Sequence, residues 1–139
     1  MSKTRRLLRS TAEQRLRECL ARVRELNAMD EYAFKITRVV LFGSMLTDTS
    51  RPSDVDLALE VSPRYGRGSE RQEQVEERRI ALRSSQMESD FPNFLARIYW
   101  PHDEVVRYVR GGARSLSIHD VREIEGMDPV PPHRTLYVA

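Results

Sequence analysis

One cysteine, Cys19, in a chain of 139 residues leaves no partner for an internal disulfide, and that usage agrees with a reducing cytoplasm. No apolar run approaches the ~20 residues of a membrane-spanning helix, so no membrane partner is expected. The opening MSKTRRLLRS is basic but lacks an apolar signal-peptide core. Repeats and low-complexity segments are absent. A formal net charge of +2 does not by itself argue for nucleic acid. The length suits one core rather than two, and 40% hydrophobic with 32% charged residues suits a soluble globular chain. A single domain over 1–139 is therefore expected.

The charge that is present is unevenly placed. Residues 1–24 hold eight Lys and Arg against two acids, Glu13 and Glu18. A basic N-terminal helix within 1–30 is predicted, with Ser10-Thr11-Ala12-Glu13 as a capping box and Leu16, Cys19, Leu20, Val23 and Leu26 as its apolar stripe. Such a helix either meets RNA, DNA or an acidic partner, or is simply a solvated face.

The most informative stretch is Arg38 to Val61, RVVLFGSMLTDTSRPSDVDLALEV. An apolar strand, Phe34–Phe42, ends in Gly43-Ser44, and a short helix is expected from Ser44, failing by Pro52. Asp54-Val55-Asp56 then opens a second strand, Asp54–Val61. Period-2 geometry puts Asp54 and Asp56 on one face and Val55 and Leu57 on the other. Two neighbouring carboxylates repel, and a divalent cation is their usual neutraliser, with hard oxygen ligands favouring Mg²⁺. Gly43 lets the backbone approach a ligand closely, and Ser44 offers a hydroxyl and an N–H to a phosphate. A phosphate cradle facing a carboxylate pair is equipment for phosphoryl or nucleotidyl transfer.

Gly43-Ser44 followed by Asp54-x-Asp56 after a hydrophobic strand resembles the signature of the polymerase-beta-like nucleotidyltransferase superfamily, in particular its minimal nucleotidyltransferases. Ser53, just before the first Asp, matches that pattern too. The match covers Val39 to Val61. The spacer is one residue short of the family pattern and lacks the glycine common in its middle. The resemblance implies a nucleotidyltransferase-like fold, an NTP substrate bound through Gly43, Ser44 and Ser53, and Mg²⁺ held by Asp54 and Asp56. It also implies that small stand-alone members work beside a toxin or a helical partner subunit.

After the second strand, Pro63–Gly68 is a basic glycine-bearing loop whose Arg64 and Arg67 can reach nucleotide phosphates. A charged helix follows from Ser69 to about Met87, anchored by Val75, Ile80 and Leu82. Asn93–Trp100 alternates Phe94, Ala96, Ile98 and Trp100 against Leu95, Arg97 and Tyr99, and is predicted as a third strand. Pro101 is predicted to open a helix closed by Gly111-Gly112. Ser115–His119 is a fourth strand, Asp120–Glu125 a helical turn, and Thr135–Val138, within the tail 126–139, a last strand. The sum is an α+β fold, a small mixed β-sheet flanked by helices.

Active members of the resembled family carry a third carboxylate on a neighbouring strand, and the predicted third strand contains no Asp or Glu. Asp90 and Asp103 flank it, and Asp120 leaves the fourth strand beside His119. Asp120 as auxiliary ligand and His119 as general base are the candidates to complete the catalytic set. Two functions stay open: a Mg²⁺-dependent transfer of an NMP to a hydroxyl of protein, RNA or small molecule, or a catalytically degenerate nucleotide-sensing or partner-binding module.

Overall fold

The computed structural model describes residues 7–139. The basic residues Lys3, Arg5 and Arg6 of the expected N-terminal helix lie outside that range. Among the described residues no helix is long and apolar enough to cross a membrane.

Four helices and four strands follow in the order α1 (Arg9–Asn27), β1 (Phe34–Phe42), a 3₁₀ turn (Gly43–Leu46), β2 (Val55–Pro63), α2 (Glu70–Gln86), α3 (Phe94–Arg110), β3 (Leu116–Asp120), α4 (Val121–Glu125) and β4 (His133–Val138). The strands form one mixed sheet in the order β3-β2-β1-β4. β1 is antiparallel to β2 and to β4, and β2 is parallel to β3. The architecture is α+β with a small sheet flanked by helices.

Alternation along the strands divides the apolar residues between two faces. Ile36, Val39 and Leu41 of β1, Val55, Leu57 and Leu59 of β2 and Leu116 of β3 share a core with Cys19, Val23 and Leu26 of α1 and Val105 and Val109 of α3. On the other face Val40 and Ala58 pack with Val121 and Ile124 of α4, and Phe42 packs beside them. That second face is covered only over its middle by a five-residue helix, so the sheet end that carries Asp56 is left accessible.

Both ends of α1 and the C-terminus of α3 are held by long-range partners, whereas α2, α3 and α4 start at local side-chain caps. The expected capping box at Ser10 does not form: α1 starts two residues earlier, Leu8 is its N-cap, and the Arg9 N–H bonds the Ser50 carbonyl at 3.0 Å. At the other end, the Arg64 guanidinium donates to the carbonyls of Leu26, Asn27 and Tyr32. Arg22 does the same for α3, donating to the carbonyls of Val109 and Arg110. Except for Tyr32, which lies in the turn after α1, these carbonyls belong to the last turns of the two helices, where intrahelical partners run out. α2 does use its predicted cap, since the Ser69 hydroxyl accepts the Gln72 N–H at 3.1 Å. The Gln72 side chain is buried but satisfied, donating to the Ala33 carbonyl and accepting from the Tyr65 N–H. Leu82, expected as an anchor of α2, is instead exposed.

One predicted element changes type. Asn93–Trp100 is the first part of α3, with Asn93 as N-cap accepting the Ala96 N–H at 2.8 Å. Pro101 lies inside this helix rather than opening it, and its missing N–H forgoes one backbone bond. Tertiary contacts outweigh that loss. Glu104 is buried and receives two 2.8 Å bonds from Arg79, and the guanidinium groups of Arg83 and Arg107 stack over the Trp100 ring, 4.6 and 5.4 Å from its centroid. The alternation that mimicked a strand arises because Phe94, Leu95, Ile98 and Tyr99 are apolar yet exposed. Apolar residues on the solvent face blur the helical period.

Candidate active site

The site is a row of side chains running across one end of the sheet. Phe42 of β1 is in register with Asp56 of β2, and Asp56 is in register with Ser117 of β3. One step along, Val40, Ala58 and His119 form the next row. Residues in register on adjacent strands share a face, so Asp56, Ser117 and His119 lie together on the face that α4 covers only in part. His119 packs edge-on against Phe42, with ring centroids 5.4 Å apart. Asp54, immediately before β2, is close enough for its charge to act on Asp56.

The Gly-Ser turn is built against this row. Gly43 has φ +78°, and a β-carbon there would lie 2.3 Å from Asp56 Oδ2. Glycine is required both by the backbone conformation and by the approach of the carboxylate. Ser44 Oγ accepts the Ser53 N–H at 3.1 Å and lies 3.3 Å from Ser53 Oγ. The two serines thereby tie the turn to the residue that precedes Asp54. The helix expected from Ser44 is only a four-residue 3₁₀ turn, closed by Thr47, whose N–H and hydroxyl both donate to the Ser44 carbonyl. The rest of the spacer is held by Arg9, whose guanidinium donates to the carbonyls of Met45, Thr47 and Thr49. No sequence pattern pointed to this clamp, because its partners are backbone atoms of a distant loop.

Burial first, and the Asp54 carboxylate second, push the Asp56 carboxyl above its ordinary value, while His119 acts in the opposite direction. A carboxylate pair of this kind gains from a bound cation. His119 belongs to a chain of its own: Nε2 is 3.0 Å from Ser117 Oγ, and Nδ1 is 3.3 Å from Glu123 Oε2. Ser117 and Glu123 were not among the residues expected at the site. The Ser117-x-His119 spacing does put both on one strand face, but only the parallel pairing of β3 with β2 brings that face beside Asp56.

Asp120, the expected auxiliary carboxylate, goes elsewhere. It is in register with Leu59, on the opposite sheet face from Asp56. There it caps α4 by accepting the Arg122 N–H at 2.8 Å, and it also pairs with the Arg122 guanidinium. Asp90 and Asp103 flank no strand, since the segment between them is helical.

Arg64 and Arg67 follow the far end of β2. Seven steps of about 3.3 Å put Pro63 roughly 23 Å from Asp56. Arg64 is bound to the carbonyls that end α1, so the structure does not bring it to the carboxylate pair. Arg67 lines a separate cleft of about 630 Å³ with Glu60, Glu76, His102, Asp120 and Glu125. In the described part of the basic helix, Arg9 and Arg22 bond backbone carbonyls and Arg15 pairs with Glu18. Arg17 and Arg24 remain on its exposed side.

For a Mg²⁺ ion, the chain's own contribution is the two carboxylates of Asp54 and Asp56. Among the described residues there is no group of three or more His, Cys, Asp and Glu side chains arranged to hold a metal. Two oxygen ligands fit the ion's habit of binding one or two protein carboxylates together with substrate phosphates and waters. No protein-family model, curated protein or solved structure matches the chain.

Proposed function

We propose that the chain is a Mg²⁺-dependent nucleotidyltransferase of the polymerase-beta-like type, moving an NMP from an NTP to a hydroxyl. The observation that carries this reading is the close approach of the Gly43 turn to Asp56, which sets a Gly-Ser turn suited to a phosphate beside a carboxylate. In this reading Gly43 and Ser44 receive the triphosphate, and Ser53 holds the turn in place through Ser44. Asp54 and Asp56 hold the Mg²⁺, which supplies charge neutralisation at the phosphates. The acceptor oxygen attacks the α-phosphorus, and pyrophosphate departs. His119 is suited to take the proton from the acceptor because it is near enough to act electrostatically on Asp56 and already contacts a hydroxyl.

A second reading, a degenerate nucleotide-sensing or partner-binding module of the same fold, draws support from one observation. The position in register with Asp56 on the neighbouring strand is Ser117, not a carboxylate. Acceptors in the first reading are a protein, an RNA or a small molecule, and a toxin or helical subunit encoded beside this chain is the protein acceptor to try first. RNA or DNA contact through the basic first helix belongs to either reading.

Two measurements test these readings. Ligand at 100 times its dissociation constant stabilises a fold by about 2.7 kcal/mol, so Mg²⁺ with ATP or GTP should raise the melting temperature, and nucleotide without the metal much less. An unchanged curve at millimolar Mg²⁺-NTP removes the enzyme and the nucleotide sensor, and leaves partner binding alone. Incubation with α-labelled NTPs and candidate acceptors then separates them, since only the enzyme transfers label.

A further inference from the structure

We propose that the chain carries its own acceptor: Ser117 is nucleotidylated in cis, with its hydroxyl activated by His119 and Glu123. This inference rests on the nucleotidyltransferase reading and names the substrate hydroxyl of that same site.

Geometry supplies the first argument. Ser117 Oγ, His119 Nε2, His119 Nδ1 and Glu123 Oε2 stand in a line, with 3.0 Å at one end and 3.3 Å at the other. A carboxylate accepts only, so Nδ1–H donates to Glu123. In the neutral ring with that tautomer, Nε2 carries the lone pair and accepts the Ser117 hydroxyl proton. Hydroxyl, imidazole and carboxylate in this order is the arrangement that turns a serine into a nucleophile.

Position supplies the second. Ser117 is directly across from Asp56 on the adjacent parallel strand, about 4.8 Å away in the hydrogen-bonding direction. A nucleotide whose phosphates are bound at Asp54 and Asp56 presents its α-phosphorus beside that hydroxyl. No diffusing acceptor is needed, and holding both reactants in one strand pair removes most of the entropic cost of bringing them together. The relay is also poorly explained as a stabilising device. The His119 and Glu123 side chains are 37% and 60% exposed, and exposed charge pairs contribute little to folding.

The step balances without a further reagent. Ser117 Oγ attacks the α-phosphorus of an NTP and an Oγ–P bond forms. The bond from that phosphorus to the bridging oxygen breaks, and pyrophosphate leaves. The hydroxyl proton passes to Nε2, giving an imidazolium that faces Glu123. The product is an NMP in phosphodiester linkage to Ser117.

The test uses the full chain with Mg²⁺ and each α-labelled NTP, and a γ-labelled NTP as control. The expected result is a mass increase of one nucleotidyl group (an NMP less water), label from the α but not the γ position, and a modified peptide mapped to Ser117. Ser117→Ala should abolish that modification, His119→Gln should slow it roughly 10²-fold, and Glu123→Gln should slow it less. A readout independent of turnover is the ¹⁵N spectrum of the His119 ring without nucleotide. Protonated Nδ1 and an Nε2 resonance that moves in Ser117→Ala are expected. An Nε2-protonated ring overturns the relay. If Mg²⁺-NTP raises the melting temperature but label appears elsewhere or nowhere, the cis acceptor is wrong while nucleotide handling stands. If Mg²⁺-NTP does not bind, both fall together.

Discussion

Gly43 and Asp56 approach so closely that a β-carbon on the glycine would meet Asp56 Oδ2 at 2.3 Å, Cγ at 3.2 Å and Cβ at 3.3 Å. Rotating the carboxylate relieves only the first of these contacts, because Cβ of Asp56 is fixed by the strand. The turn and the strand are therefore interlocked, and their separation in sequence hides how strictly each constrains the other.

Gly43→Ala should destabilise the fold by two separable effects. The φ of +78° costs an L-residue about 1–2 kcal/mol, and the contact with Asp56 adds to that. Urea denaturation of Gly43→Ala, Asp56→Ala and the double variant forms a cycle. The double variant should be more stable than the sum of the single losses implies. Strict additivity would show that the two residues do not press on each other.

Asp54→Asn with Asp56→Asn removes the repulsion between the two carboxylates at almost unchanged shape. The variant without ligand should be at least as stable as the wild type, and Mg²⁺-NTP should no longer raise its melting temperature. An unfolded or strongly destabilised variant would mean the pair serves the fold, and the site would be lost with it.

Asp120 caps α4, so Asp120→Ala should cost about 1 kcal/mol and leave nucleotide binding within a few-fold. The Arg122 guanidinium, first by hydrogen bonding, holds the Asp120 carboxyl below its ordinary 3.8. A carboxyl with a depressed folded value contributes stability that is present above the unfolded value and lost as pH falls through the folded one. The gap between wild type and Asp120→Ala should thus persist from neutrality to about pH 4 and narrow below it. Denaturation midpoints measured between pH 7 and pH 3 check this, and a gap that widens in acid would contradict the pairing.

Arg64→Ala strips donors from the carbonyls of Leu26, Asn27 and Tyr32. Hydrogen bonds from a charged group are each worth about 1.5–3 kcal/mol, so a loss of at least about 2 kcal/mol in chemical denaturation is expected. Mg²⁺-NTP affinity should change by less than a few-fold. The opposite pattern, intact stability with weakened affinity, would return Arg64 to the phosphates.

Burial pushes the Cys19 thiol up to about 11, against the opposing charge of Arg22. A neutral, buried thiol is a poor nucleophile. Alkylation at pH 8 should therefore be slow in the native chain and fast in denaturant, as a thiol-reactive dye would report. Rapid native labelling would place Cys19 outside the core.

How far the site could be read beforehand depended on the range of the interactions involved. The strand Phe34–Phe42 was legible because its apolar run ends at a glycine, and the Asp54-Val55-Asp56 alternation gave the start of β2 and the face of Asp56. Asn93–Trp100 was misread because four exposed apolar residues erased the helical period, and the contacts that hold α3 as a helix through Pro101 come from Arg79 and Arg83 of α2. Arg64 read as a phosphate contact and Arg9 as part of a basic helix, since nothing local distinguishes a guanidinium that binds distant backbone carbonyls from one that meets a ligand or solvent.

By itself, then, the sequence determined what depends on neighbours along the chain: the strand periods, the glycine at the turn, the Ser69 cap and the charge of the carboxylate pair. Tertiary structure decided what depends on which strand lies beside which. Parallel pairing of β3 with β2 sets Ser117 opposite Asp56 and turns Asp120 to the other face. The physical reason is the two-residue period of a strand, under which a shift of one position reverses the face of every side chain. Adjacent residues His119 and Asp120 therefore meet different surroundings, and the register that separates them is fixed by Leu116 and Ile118 joining the core.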